Sequence, residues 1–185
     1  MTLLIVGVAL FSVTHMVPRW RALRKAAVDR LGEMGYKAVY SLVALAALVL
    51  IVRGYKGADF VPVYEPFEKG RAIAHALMPF SFILAAGANM RSNLKRYVRH
   101  PLSLSVMLWA LSHLAANGDL ASVILFGGMF AFAAVNMGLS MMAEQTPPPP
   151  PQPRGKDVIL IVAGLVGYAA VVWAHGAVFG VYVAG

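Results

Sequence analysis

The sequence contains no cysteine, which excludes disulfides, thiolate metal sites, iron–sulfur clusters and cysteine nucleophiles, and leaves the redox compartment unread. Any metal would have to be held by nitrogen, oxygen or the thioether of methionine. Charge is scarce as well: Asp, Glu, Lys and Arg make up 13% of the 185 residues, and acids number 8 against 16 bases. An ordinary soluble domain carries about 25% charged residues. With 59% hydrophobic residues and a mean hydropathy of +0.70, the composition is that of a membrane protein. In a soluble chain a net charge of +8 would point to nucleic acid. Here the bases lie between apolar blocks, where they orient helices and meet anionic lipid, so lipid and not nucleic acid is the expected partner.

What is present is a series of apolar blocks near the length a bilayer demands, about 20 residues per helix. They predict an all-α, polytopic membrane helix bundle, a single domain over 1–185, with about six helices at 1–17, 38–52, 72–90, 101–118, 120–143 and 158–184. Block 1–17 has its arginines after it and no basic region before it, which reads as a first helix and not as a cleaved signal. Pro101 suits the first turn of the fourth helix. The Asn117-Gly118-Asp119 turn allows only a tight hairpin, so helices four and five should be antiparallel neighbours. The loop 145–155 carries five consecutive prolines and then Pro153, a composition for an extended polyproline spacer, with PxxP recognition by an SH3-like domain as the other reading. The segment 53–71 mixes glycine, proline, acids and Phe60, Tyr64 and Phe67, which suits an interfacial cap over helix ends.

Orientation follows from the bases. Six lie between Arg19 and Lys37, four between Arg91 and Arg99 and two at Arg154 and Lys156, against Arg53, Lys56, Lys69 and Arg71 on the opposite side. Loops rich in Lys and Arg stay in the cytoplasm. Both termini are therefore expected outside the cytoplasm, on the periplasmic face of a bacterial inner membrane.

All five histidines, His15, His75, His100, His113 and His175, lie within apolar blocks or at their edges. Ionisable groups at membrane depth tend to face a cavity or a partner. Each alone can be a neutral ring bonded to a helix carbonyl; five together favour a site. Trp109, His113 and Asn117 follow at i, i+4 and i+8 and share one helix face, which reads either as a site wall or as a packing stripe meeting Gly127 and Gly128 of the next helix. His100 is thirteen residues before His113, about 220° round the helix and about 20 Å along its axis, so one metal cannot take both. It stands at a helix N-terminus, where the dipole favours a neutral imidazole. By depth, His15 and His100 belong near the cytoplasmic side, and His75, His113 and His175 toward the other. The cofactor best suited to histidines in an apolar bundle is haem, whose iron takes two axial imidazoles from different helices. Arg19, Arg96 and Arg99 at one rim, or Arg71 at the other, are candidate propionate partners.

The ordered set His15 with Arg19, Gly32-Glu33 with Tyr36, Tyr40-Ser41, His75 to Pro79, Arg99-His100-Pro101, Leu108-Trp109 with His113, Asn117-Gly118-Asp119 and His175 before Phe179-Gly180 resembles the NnrU family of small membrane proteins over nearly the whole chain. The resemblance implies a setting in denitrification, in nitrite and nitric oxide metabolism, with a nitrogen-oxide reductase or another membrane complex as partner. The similar plant zeta-carotene isomerase carries haem b on histidine ligands, whose motifs correspond here to His15 and His113. Depth makes His75 with His113 the easier pair, and both pairs stay open. The cofactor contacts expected from motif and resemblance together are His113, His75, His15, Trp109, Asn117, His100 and Arg99, the first three as iron ligands. The isomerase also has a cysteine where this chain offers residues such as Ala110 and Leu111, which speaks against a thiolate-switched, haem-dependent isomerase.

Two other classes remain. Arg-His-Pro also occurs in membrane methyltransferases of the isoprenylcysteine and phospholipid types; on that reading Arg99, His100 and Glu144 would contact S-adenosylmethionine. A proline run follows Glu144, in place of the longer acidic and aromatic segment of such enzymes. The last class is a non-catalytic accessory or assembly subunit whose histidines are structural.

Overall fold

Apolar, helix-forming blocks in a chain short of acids and turns leave the backbone one way to satisfy its own hydrogen bonds in lipid, which is the helix. The computed structural model describes residues 1–143, 147–181 and 183. Its helices are α1 (Thr2–Met16), α2 (Arg21–Lys56), α3 (Gly70–Asn89), the short α4 (Leu94–Tyr97), α5 (Pro101–Ala116), α6 (Leu120–Ala143) and α7 (Arg154–Phe179). Among the described residues five spans are long and apolar enough to cross a membrane, the first of them α1 extended by the 3₁₀ turn Val17–Arg19 to 18 residues, and α5 is a shorter apolar helix of 16 residues. The outward faces are apolar: Trp173 is 89% exposed and Leu42 66%. Such exposure is that of side chains facing lipid, and the molecule is an integral membrane helix bundle.

The helix expected at 38–52 starts a few residues earlier, just past Gly32, where the backbone breaks (φ 71°, ψ 164°). Residues 21–31, expected as a basic loop, form a separate helical segment before that break. Apolarity alone located the block at 38–52, but Ala, Leu, Arg and Lys in 21–31 are good helix formers whatever their polarity. Gly32 supplies a conformation that side chains with a Cβ rarely adopt. Ion pairs line this segment, Lys25 to Asp29 at 2.6 Å and Arg24 and Lys37 to Glu33 at 3.1 and 3.4 Å. The last helix begins at Arg154, and of the residues expected in it, Tyr182 and Ala184 lie outside the described set, as do Glu144 to Thr146. Residues 147–153 contain no helix. They are stapled to α3's side of the bundle by Asn93, whose Nδ2 donates to Gln152 O (2.8 Å) and to Asp157 (2.7 Å) while its Oδ1 accepts from Gln152 N (2.8 Å).

Helix packing is set by small residues. A Cβ on Gly54 would run into the backbone of Leu4, and one on Gly164 would lie 2.7 Å from Ile83 Cα, so α1 with α2 and α3 with α7 approach closely. The α5–α6 hairpin forms as expected, but Gly128 meets Val8 of α1 and Gly127 meets nothing within 4 Å, so neither carries the α5 contact. The core is Leu4, Val8, Ile51, Ala110, Ala121, Leu125, Phe126 and Met129, joining α1, α2, α5 and α6.

The segment between α2 and α3 lies over the α5–α6 turn as the predicted cap. Val63 N and Tyr64 N donate to Gly118 O (2.9 and 3.1 Å), Leu120 N donates to Val61 O (2.8 Å), and the Tyr64 hydroxyl reaches the carbonyls of Leu114 and Asn117. Gly118 is required here, because a Cβ would strike the Tyr64 carbonyl.

Candidate functional site

Between the helices lies a partly open cavity of about 380 Å³, within the range of small-molecule and cofactor sites. Its wall is made by α1 (Phe11), α2 (Leu48, Ile51, Tyr55), α3 (Ala74, His75, Met78, Phe82), α5 (Trp109, His113, Asn117), α6 (Leu125, Phe126, Met129) and α7 (Tyr168, Val172, His175), with Lys56 and Arg71 among the lining groups. Among the described residues the wall holds two cations and no acid.

Trp109, His113 and Asn117 all reach this cavity, as their spacing on one face of α5 requires. His113 Nδ1 lies 2.8 Å from Trp109 O. A carbonyl only accepts, so Nδ1 carries the proton and the Nε2 lone pair is left for a ligand. Phe126 stacks on the imidazole at 4.4 Å and Trp109 leans on both rings, at 5.1 and 4.9 Å. Asn117 Nδ2 donates to His113 O at 2.9 Å.

His75 lines the same cavity with both nitrogens engaged. Nε2 donates to Val183 O (3.0 Å), so Nδ1 accepts from the Tyr168 hydroxyl (2.9 Å). Pro79 follows one turn later and has no N–H to give the His75 carbonyl. His175 also faces in, its Nδ1 donating to Val181 O at 2.7 Å. The αL glycine Gly180 (φ 79°) turns the chain back so that Val181 and Val183 border the cavity. The three histidines expected at one depth thus meet around one space.

The remaining candidates lie elsewhere. His15 donates from Nδ1 to Phe11 O (2.8 Å) and packs among Phe11, Tyr40 and Phe132, outside the cavity lining. His100 is the residue preceding Pro101 at the N-terminus of α5, and it and the exposed Arg99 stand at the other end of that helix from His113. Glu144, the acid of the methyltransferase reading, lies outside the described residues. Among the expected propionate partners, Arg19 is tied to Asn136 (2.9 and 2.8 Å) and to Ser140, and Arg96 to Pro149 O (2.7 Å), whereas Arg71 lines the cavity. No group of three or more His, Cys, Asp or Glu side chains converges on a metal position among the described residues.

Sequence reasoning missed several wall residues. Tyr168 stands seven residues before the expected His175, and Leu48, Ile51 and Tyr55 follow at i, i+3 and i+7; both are one-face patterns that could have been read. Phe126 had no such signal, because Val123–Gly127 widens into π-helical turns that shift the register of α6.

Compared with known proteins, the chain matches the family model described as NnrU protein over residues 3–183. No curated protein and no solved structure matches it.

Proposed function

The chain belongs to the NnrU family, and from that premise we propose that it is a haem b protein of the bacterial inner membrane, with both termini periplasmic, acting in nitrite and nitric oxide metabolism during denitrification. The observation that carries the reading is the His113 imidazole: Nδ1 anchored on the Trp109 carbonyl at 2.8 Å, Nε2 left as a lone pair, and a cavity beside it. Iron-ligating histidines hold their second nitrogen in this way, because the anchored N–H fixes the tautomer and the ring plane. The donor set fits the group in two further respects. The apolar wall of Phe82, Trp109, Leu125, Phe126 and Met129 suits a porphyrin face, and Lys56 and Arg71 supply positive charge for its propionates with no acid in the lining.

Bound there, haem would supply one-electron transfer or ligation of a nitrogen oxide, depending on whether the sixth position is filled. The protein's own part is to hold the ring through His113 and to shield it from water with its aromatic wall. Cells lacking this gene, grown on nitrate at low oxygen, are expected to accumulate nitrite or nitric oxide, and return of a plasmid copy to reverse it. Unchanged nitrogen-oxide levels in the deletion strain would remove the denitrification role.

A further inference from the structure

Three histidines border the cavity, and their hydrogen bonds do not make them equivalent. His75 has spent both nitrogens, one donating to Val183 O at 3.0 Å and the other accepting from Tyr168 at 2.9 Å. His15 is not among the lining residues and stacks behind Phe11, which is. His175 repeats the arrangement of His113: Nδ1–H on a backbone carbonyl, Val181 O at 2.7 Å, with no partner for Nε2 among the described residues.

Position adds to this. His113 lies in the last turn of α5 and His175 near the end of α7. α7 packs chiefly on α3, leaving room between its histidine face and that of α5. Both imidazoles border the same cavity. Both helices place the negative ends of their dipoles at this level, which favours a positive charge between them. A cation with two nitrogen ligands meets all these conditions.

We propose that His175 supplies the second axial nitrogen to a haem iron held by His113, and that His75, tied to Tyr168, is a positioning residue that orients α3 against α7. The assignment rests on the haem reading above. It makes the site six-coordinate and low-spin, the state suited to electron transfer and not to an open ligand position.

The test uses the full chain in detergent, loaded with ferric haem b, and reads coordination by optical absorption and electron paramagnetic resonance. The parent protein should give a low-spin, bis-histidine signal. His175→Ala should retain haem, lose the low-spin signal to a high-spin one, and regain it when free imidazole is added. His175→Met, which offers a thioether, should stay low-spin with a changed charge-transfer band. His75→Ala and His15→Ala should leave the signal low-spin, with circular dichroism and gel filtration confirming that every variant is folded. A low-spin His175→Ala, or a high-spin conversion in His75→Ala or His15→Ala with His175→Ala unchanged, overturns the assignment while leaving a haem protein. A parent that binds haem but is already high-spin also overturns it. A parent that takes up no haem removes the underlying reading and the assignment together.

Discussion

At the scale of the residue, the molecule is built on close contacts that small side chains permit and on imidazoles that backbone carbonyls orient. A carbonyl one turn back on the helix fixes the ring of His113, as it does that of His15, so the same local device serves a cavity residue and a packed one. What distinguishes them is the cavity, which His113 lines and His15 does not, packing instead among Phe11, Tyr40 and Phe132. Gly54 shows the other principle. A methyl there would overlap the Leu4 backbone, whereas one on Gly138 meets nothing within 4 Å. Gly54→Ala should cost about 1–3 kcal/mol through overpacking, while Gly138→Ala should be neutral or stabilise by about 0.5–1 kcal/mol through lost chain entropy. Thermal unfolding in detergent measures both, and a Gly54→Ala as stable as the parent would contradict the packing of α1 on α2.

At the scale of the element, most of the fold was legible in the sequence, because one pattern decides where a chain crosses a bilayer: an apolar block of sufficient length between charges. Blocks three to five were located to within a residue or two of α3, α5 and α6. The failure at α2 has a plain cause, since hydropathy marks where a helix meets lipid and not where its hydrogen bonding starts, and 21–31 is helical yet polar. In the site, Trp109, His113 and Asn117 were legible from spacing along one helix. Which histidines join them was not, because that depends on how α3 and α7 are rotated, and rotation here is set by contacts such as Gly164 on Ile83. The Phe126 ring was hidden by the π-helical turns of α6. Orientation remains a matter of the bases, of which twelve stand on one side and four on the other. Reporters fused after residue 185 and within 147–153 should read periplasmic and cytoplasmic respectively; the reverse result would invert every helix.

At the scale of the whole molecule, the polar groups divide between two levels. One holds Arg19 with Asn136 and Ser140, and the Asn93 staple on the proline segment, beside the basic rim. The other holds the cavity, with His75, His113, His175, Tyr168, Lys56 and Arg71 in its lining. This division explains why histidines at the two ends of one helix, His100 and His113, serve different places. It also makes the central claim, that the cavity holds haem through His113, open to one direct measurement. The full chain, expressed with ample haem and purified in detergent, should show a Soret band that accounts for about one haem per chain, and His113→Ala, folded by circular dichroism, should lose it. A parent protein without a Soret band, or a His113→Ala variant that keeps it unchanged, would contradict the account.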